Sequence, residues 1–390
     1  MFTTRRSFIR ALGLSGVGAA ALRPADMLAA RGHESLGGLP PGARSSSVSG
    51  SVTALRLNSN ENPLGPGENV LAAIGAAFGE TNRYPYDMER HVQAAIARAQ
   101  GVPDDHVLVG CGSGEILRIA VLGYTSPDRP LVTGLPTFEA PAGQARASGS
   151  AVIEVPVDRS LALDLQPMAD QASDAGLVFL CNPNNPTGTV HGASAIDDFI
   201  AYVGRRSPRT RILIDEAYHE YVDDPSYRTA VPIARQNPRV IVSRTFSKVF
   251  GMAGLRVGYA IAQPDTLAPL RAFKWNAGVN VLASAAAMTA LTDAAHVAAE
   301  RARNREVRQF TIDAIRKLGY EVGESHTNFV MVDLRRDVQP VIDACAKQDL
   351  LIGRLFPPLT RMARISIGTL DEMKRGLDVL DGVLRAGTRH

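Results

Sequence analysis

The sequence is poor in cysteine, the residue that holds many small extracellular folds and structural metal sites together. It has three cysteines in 390 residues, Cys111, Cys181 and Cys345. Their spacing matches no metal-ligand motif and cannot build a disulfide framework. We therefore expect no metal site, whereas a single structural bridge between two of these thiols stays open.

The sequence also lacks an excess of charge of one sign. Its net charge is +3, and no basic cluster interrupts the body of the chain. This composition gives no reason to expect a nucleic-acid partner. Hydrophobic residues make up 45% and charged residues 21%, which are ordinary values for a soluble globular protein. At 390 residues the chain is long enough for two domains that share a cleft.

The apolar run near the N-terminus, residues 11–22, is shorter than the ~20 residues that a membrane-spanning helix needs. It follows Arg5 and Arg6 and precedes small residues, a pattern that resembles a twin-arginine export signal. We predict an export signal over 1–30, no stable membrane insertion, and a periplasmic or exported protein. The alternative is a disordered tail on a cytoplasmic protein. The Gly/Pro/Ser-rich segment that ends at residue 51 predicts a linker over 31–51.

The rest of the chain alternates short Val/Ile/Leu-rich segments with helical patterns. Segments such as "HVLVGCGSGEILRIAVLGY" and "TRILIDEAYHEY" predict an α/β domain with a mostly parallel sheet covered by helices on both faces. Beyond it, "TNFVMVDL", "LLIGRLF" and "ARISIG" predict a smaller α+β C-terminal domain. The predicted bounds are 52–80 for an N-terminal arm, 81–280 for the large domain and 281–390 for the small domain.

Polar clusters follow five of the predicted strands of the large domain. They are "GSGE", "PTFEAP", "NPNNPTG", "DEAY" and "SRTFSK". Because the carboxyl ends of parallel strands line the ligand crevice of such sheets, we expect these clusters to lie close together.

The segment "SRTFSKVFGMAGLRVGY" contains a single lysine, Lys248, with the hydroxyls of Thr245 and Ser247 beside it and Arg256 downstream. An amine becomes a covalent catalyst when it condenses with a carbonyl, and a forked guanidinium suits a phosphate. These groups indicate a cofactor with an aldehyde and a phosphate, and pyridoxal phosphate has both. Taken alone, a lysine at a strand end is usually a surface salt-bridge partner.

Three further motifs supply groups that suit the same cofactor. Asp215 of "DEAY" follows an apolar strand and needs a facing cation, such as a protonated ring nitrogen, unless it caps the next helix. Tyr218, and Asn185 of "NPNNPTG", would hydrogen-bond the ring oxygen, although Asn-Pro turns are also common structural features. "GCGSGE" predicts a phosphate site formed by a helix N-terminus and the Ser113 hydroxyl, or else a loose nucleotide-binding loop.

Together with "NSNENPLGP", "NRYP" and "RISIG", these motifs resemble the fold-type I pyridoxal-phosphate enzymes of the aspartate aminotransferase superfamily. The closest likeness is to the histidinol-phosphate aminotransferase branch, and it covers the chain from Leu55 onward. The resemblance implies a Schiff base on Lys248, with the same amine moving the substrate proton, and Asp215 on the ring nitrogen. It also implies a phosphate site formed by Gly112, Ser113, Thr245, Ser247 and Arg256.

The resemblance assigns four more residues. Phe138 would stack on the cofactor ring, or is an ordinary core phenylalanine. Tyr84 would reach the cofactor phosphate of a neighbouring subunit, which implies a homodimer with shared active sites. Arg364 would clamp the substrate α-carboxylate. Arg354 would bind the distal phosphate of the substrate, or is a surface arginine.

The function that these assignments imply is amino-group exchange between an amino acid or amine, of the histidinol-phosphate type, and a 2-oxo acid such as 2-oxoglutarate. Another outcome of the same cofactor chemistry stays open: decarboxylation, racemisation, cyclisation or oxygen-dependent oxidation. A non-catalytic binding protein is a third interpretation. Because an export signal does not fit a cytosolic biosynthetic enzyme, the true substrate stays open.

Overall fold

The structure of the protein, a computed structural model, describes residues 54–386. The predicted export signal and linker, together with the first residues of the predicted arm, lie outside the described residues, as do residues 387–390.

The strands of the described chain form three sheets of seven, three and two strands. In chain order they are β1 Leu55–Leu57, β2 Val107–Gly110, β3 Leu131–Leu135, β4 Val152–Pro156, β5 Leu177–Cys181, β6 Arg211–Asp215, β7 Val240–Thr245, β8 Gly258–Ile261, β9 Glu321–Val322, β10 Phe329–Asp333, β11 Leu350–Ile352 and β12 Met362–Ser366.

The α-helices follow most of these strands and cover the sheets. In chain order they are α1 Glu68–Ala76, α2 Tyr86–Gln100, α3 Ser113–Tyr124, α4 Ala140–Ala147, α5 Leu165–Asp170, α6 Ala193–Arg206, α7 Val231–Gln236, α8 Pro264–Arg271, α9 Val281–Ala290, α10 Ala294–Lys317, α11 Gln339–Ala346 and α12 Leu370–Ala386.

Within residues 54–386, no single helix combines the length and apolar character needed to cross a membrane. Helices α9 and α10 satisfy that test only as a pair, with a bend of 82° between them.

The seven-stranded sheet has the order β2-β8-β7-β6-β5-β3-β4 and is parallel except for β8, which runs antiparallel to β2 and β7. Its strands are buried on both faces. In β6, for example, Ile212 and Ile214 belong to one apolar core and Leu213 to another. Continuous Val/Ile/Leu runs are what a sheet covered on both faces requires. The predicted mostly parallel sheet is confirmed.

The C-terminal part has its own apolar core around the antiparallel sheet β12-β10-β9, with side chains from α10, α11 and α12. The predicted smaller α+β unit is therefore confirmed as part of the fold. Strand β11 does not join that sheet but pairs in parallel with β1, so that Leu55 faces Leu350. The alanines of α9 pack in a core of the large sheet, and the predicted domain boundary at 281 stays a prediction.

The three cysteines are free thiols. Cys181 and Cys345 are buried and Cys111 is exposed. The single structural bridge that the sequence left open is not formed between any two of them.

Candidate active site

A cavity of about 740 Å³ lies at the carboxyl edge of the large sheet and extends to side chains of the C-terminal part. It brings together residues from all five polar clusters. The predicted site residues in its lining are Ser113, Phe138, Asn185, Asp215, Tyr218, Thr245, Ser247, Lys248, Arg256, Arg354 and Arg364.

Lys248 lies just after β7, at the inner end of this cavity. Its Nζ donates a hydrogen bond to the Asn60 carbonyl oxygen at 3.1 Å and lies 5.5 Å from the centre of the Tyr218 ring. Burial, reinforced by the positive charge of Arg364, lowers the pKa of the Lys248 amine to about 8. About a tenth of this amine is therefore uncharged at pH 7, far more than for an ordinary lysine, and the uncharged form is the one that a nucleophile or a base requires.

Asp215 is the last residue of β6 and is only 3% exposed. Its Oδ1 is buried and has no hydrogen-bond partner within residues 54–386. Burial raises the pKa of this carboxyl to about 7. The short 3-10 helix that follows has Tyr218, not Asp215, at its N-cap position, so the alternative that Asp215 caps the next helix is wrong. A buried carboxyl with an unmatched oxygen is suited to receive a cationic hydrogen-bond donor.

A second group of side chains surrounds the N-terminus of α3, which begins at Ser113. Arg256 donates to the Ser247 hydroxyl at 3.2 Å, and the Thr245 hydroxyl donates to the same oxygen at 2.9 Å. Gly112 precedes the helix with φ of 74°, and a Cβ there would lie 2.2 Å from Nη2 of Arg256. Glycine is therefore required both by the backbone and by the close approach of the guanidinium. Hydroxyls, a guanidinium and the positive end of a helix are groups that suit a phosphate.

Arg364 is buried on β12 between two aromatic rings. Its guanidinium carbon lies 5.4 Å from the ring centre of Phe329 and 4.6 Å from that of Phe356. Nη1 donates to Oδ1 of Asn185 at 2.6 Å, Nη2 donates to the Asn58 carbonyl at 2.7 Å, and Nε has no partner within the described chain. Burial lowers the pKa of this guanidinium. These contacts hold the Arg364 guanidinium in one orientation, and its Nε still needs a hydrogen-bond acceptor.

Asn60 is a site residue to which sequence reasoning assigned no role, although its motif "NSNENPLGP" was noted. It is buried with a positive φ of 54°, a conformation that asparagine tolerates better than most residues. Its Nδ2 donates to the Tyr218 hydroxyl at 3.0 Å, and its carbonyl accepts from Lys248 and, at 2.9 Å, from Asn328. Burial raises the pKa of Tyr218 above its ordinary value. Asn60 thus connects the predicted N-terminal arm to the side chains of Tyr218 and Lys248.

The sequence left two interpretations open for Phe138 and for Arg354, and the structure decides neither pair. Phe138 lines the cavity and also packs against a core of the large sheet. Arg354 lines the outer rim with a side chain that is 53% exposed and pairs with Glu139. Tyr84 is not in the lining, because its side chain is 80% exposed and stacks on Tyr86 with ring centres 5.4 Å apart.

The inner residues fit pyridoxal phosphate. The unmatched oxygen of Asp215 suits a protonated ring nitrogen, the amine of Lys248 suits an aldehyde, and the group around Arg256 suits a phosphate. The first match lies at the end of β6, and the other two share the residues at the end of β7.

Residues 52–380 match the family model described as aminotransferase class I and II. The chain belongs to this family. It is 36% identical over 335 residues to a histidinol-phosphate aminotransferase of Symbiobacterium thermophilum, an alignment that spans 85% of this chain and 91% of the relative. The predicted pyridoxal-phosphate-dependent aminotransferase, close to the histidinol-phosphate branch, is confirmed.

Solved structures of other aminotransferases share the fold. A histidinol-phosphate aminotransferase from Sinorhizobium meliloti, in complex with pyridoxal-5'-phosphate, superposes with a TM-score of 0.81 at 28% identity, over 85% of this chain and 91% of that one. An aspartate aminotransferase from Thermus thermophilus gives a TM-score of 0.75 at 17% identity, over 85% and 92% of the two chains, which concerns the fold alone. The predicted aspartate aminotransferase-like fold is confirmed.

Proposed function

We propose that this aminotransferase exchanges an amino group between an amino acid or amine and a 2-oxo acid such as 2-oxoglutarate, with pyridoxal phosphate held on Lys248. The observation that supports it most is the pairing of two buried groups in one cavity. Lys248 has a pKa of about 8 and follows β7, while Asp215 ends the neighbouring strand β6 with an unmatched oxygen.

The cofactor would be held by groups on several strand ends. Lys248 would bind its aldehyde carbon, and Asp215 would accept a hydrogen bond from its ring nitrogen. When bound, pyridoxal phosphate supplies an electron sink for a bond broken at the substrate Cα. The remaining contacts fall to Gly112, Ser113, Thr245, Ser247 and Arg256 for the phosphate, Asn185 and Tyr218 for the ring oxygen, and Phe138 for the ring face.

The substrate would be positioned by Arg364 and deprotonated by Lys248. A guanidinium fork held by Asn185 and Asn58 is already oriented for a bidentate contact with an α-carboxylate. An amine with a pKa of about 8 is close to the working pH, which suits the transfer of a proton from the substrate Cα. Family membership favours amino transfer over the other outcomes of this chemistry.

We also propose a homodimer with shared active sites, in which Tyr84 completes the partner's site. Large apolar side chains concentrated in one exposed segment support this assembly, because such surfaces mark interaction sites. Between residues 64 and 86 they are Leu64, Leu71, Phe78, Tyr84 and Tyr86. Sedimentation of the purified protein tests the assembly, and a monomer with full activity would contradict it.

We further propose that residues 1–30 export the folded protein with its cofactor. The support for this proposal is the pair Arg5 and Arg6 before a short apolar run. Cell fractionation tests it: the double replacement of both arginines by lysine should retain the protein in the cytoplasm. Equal distribution of both forms would show that these residues do not act as a signal.

Amino transfer is tested with purified protein loaded with pyridoxal phosphate. We expect a visible absorption band that shifts when an amino donor is added, and glutamate formed from 2-oxoglutarate. Lys248→Ala should lose both, with a fall in turnover of at least ~10³-fold. Lys347→Ala, a change at an exposed lysine outside the cavity, is the control. Normal turnover in Lys248→Ala would refute the assignment.

A further inference from the structure

The Tyr218 hydroxyl lies in the cavity lining with only part of its hydrogen-bonding capacity used. Its oxygen accepts a hydrogen bond from Nδ2 of Asn60 at 3.0 Å, whereas its own proton has no acceptor within residues 54–386. The side chain is buried, and its ring packs edge-on against Phe329 with ring centres 5.3 Å apart. Because a buried hydroxyl proton needs an acceptor, we expect that acceptor to be a group bound in the cavity.

The orientation of the Asn60 amide is set by Ser366, the last residue of β12. The Ser366 hydroxyl accepts a hydrogen bond from the Asn60 backbone N–H at 2.9 Å and donates its proton to Oδ1 of Asn60 at 2.8 Å. With Oδ1 engaged in this way, the NH2 group of the amide faces Tyr218. The opposite orientation of the amide would remove the acceptor of the Ser366 proton.

The backbone of Asn60 is held by contacts that do not involve its side chain. Its carbonyl oxygen accepts hydrogen bonds from Nζ of Lys248 at 3.1 Å and from Nδ2 of Asn328 at 2.9 Å. Its φ is 54°, a value that glycine adopts at little cost. Asn60→Gly therefore removes the amide and is compatible with the same backbone conformation.

These contacts form a chain of hydrogen bonds in which each donor is defined. Ser366 donates to Asn60, and Asn60 donates to Tyr218. The proton of Tyr218 is thereby left for a group in the cavity, toward which the hydroxyl acts as a donor. An oxygen that carries negative charge is the strongest acceptor for such a donor.

We propose that Asn60 is a positioning residue, which directs the Tyr218 hydroxyl as a donor to the ring oxygen of bound pyridoxal phosphate. A donor at that oxygen competes with the proton on the nitrogen that joins Lys248 to the cofactor, so that this proton is lost at a lower pH. Without the Asn60 amide, the Tyr218 hydroxyl is free to rotate its proton away from the cofactor. This inference rests on the proposed function, because it assumes pyridoxal phosphate on Lys248.

The test measures the pH at which the visible band of the loaded protein changes, in the absence of any amino donor. This midpoint reports the loss of the proton from the nitrogen between Lys248 and the cofactor. Asn60→Gly should raise the midpoint by about one pH unit, because a hydrogen bond to a charged oxygen is lost. Ser366→Ala retains Asn60 but frees its amide, and it should raise the midpoint by a smaller amount.

Two further variants distinguish positioning from a general effect on the fold. In a Tyr218→Phe background, Asn60→Gly should cause no further shift of the midpoint, because the hydroxyl on which the amide acts is absent. Asn62→Ala is the control. It removes another buried amide of the predicted arm, one that donates to the Val249 carbonyl at 3.0 Å and lies outside the cavity lining. It should leave the midpoint unchanged.

Binding to the cofactor-free protein gives a second readout. Asn60→Gly should weaken the binding of pyridoxal phosphate about tenfold. It should leave unchanged the binding of 3-deoxypyridoxal phosphate, which lacks the ring oxygen. Equal losses for the two ligands, or a midpoint shift that persists in the Tyr218→Phe background, would overturn the inference. A Tyr218-dependent shift in a protein that transfers no amino group from any donor would refute the proposed function and leave the inference supported.

Discussion

The inner and outer ends of this cavity are built differently. At the inner end, Asp215 and Thr245 are buried at the ends of neighbouring strands, and the unmatched oxygen of Asp215 needs a bound partner. At the outer rim, Arg354 and Glu139 are more than half exposed and satisfy each other. A buried charge is costly to leave unpaired. An exposed ion pair, in contrast, contributes little to the free energy of unfolding. We therefore expect the inner end to supply the chemistry of the proposed function, and the rim to contribute little to stability.

The largest difference between the two ends should appear in stability. Arg244 is buried near the inner end and forms an ion pair with Glu216 at 2.8 Å. Because Arg244 precedes Thr245 and Glu216 follows Asp215, this ion pair connects the ends of β7 and β6. Arg244→Met should lower the free energy of unfolding by about 3–5 kcal/mol, because a buried carboxylate is left without its partner. Arg354→Met at the rim should change it by less than about 1 kcal/mol. Thermal and urea unfolding measure the free-energy change of each variant. Equal losses of stability in the two variants would contradict the proposed difference between the inner end and the rim.

Asp215→Asn should have the next largest effect, on catalysis. The change keeps the side-chain size but removes the charge that would face the ring nitrogen. We expect kcat to fall by about 10²–10³-fold, the range typical for loss of a preorganised electrostatic group. Steady-state kinetics with saturating cofactor measure this fall. Wild-type kcat would show that the ring nitrogen is not held by this residue.

The rate of covalent cofactor capture should depend on pH through the Lys248 amine. Only the uncharged amine attacks the aldehyde, and burial lowers its pKa to about 8. Below pH 8 the rate should rise about tenfold per pH unit, and above it the rate should level off, whereas an ordinary lysine would continue to gain up to about pH 10.4. Stopped-flow absorbance after mixing cofactor-free protein with pyridoxal phosphate follows this rate. A continued rise up to pH 10 would contradict the lowered pKa.

Gly112→Ala should have a smaller effect that is confined to the phosphate site. Its Cβ would lie 2.2 Å from Nη2 of Arg256 and must displace that guanidinium. We expect the affinity for pyridoxal phosphate to fall about tenfold or more, the loss typical for one charge-assisted contact. Gly143→Ala in α4 is the control, because nothing lies within 4 Å of the Cβ added there and the residue is outside the cavity lining. Equal losses in titrations of the two variants would argue against a role for Arg256.

Sequence reasoning located the inner end better than the rim for a physical reason. Val/Ile/Leu runs identify buried parallel strands, and polar residues that directly follow them must meet at one edge, as Asp215 and Lys248 do. Contacts between distant segments carry no such local signal. Lys248 and Asn60 are 188 residues apart, and Arg354 and Glu139 are 215 apart. The pairing of β11 with β1 escaped prediction likewise, since "LLI" resembles any short strand.

The most direct test of the account is chemical mapping of the attached cofactor. The protein is mixed with pyridoxal phosphate, reduced with borohydride, digested and analysed by mass spectrometry. We expect one cofactor per chain, on the peptide that contains Lys248, and no label on Lys274, Lys317, Lys347 or Lys374. An unlabelled Lys248, or label spread over the other four lysines, would contradict the claim that the inner end of this cavity binds the cofactor.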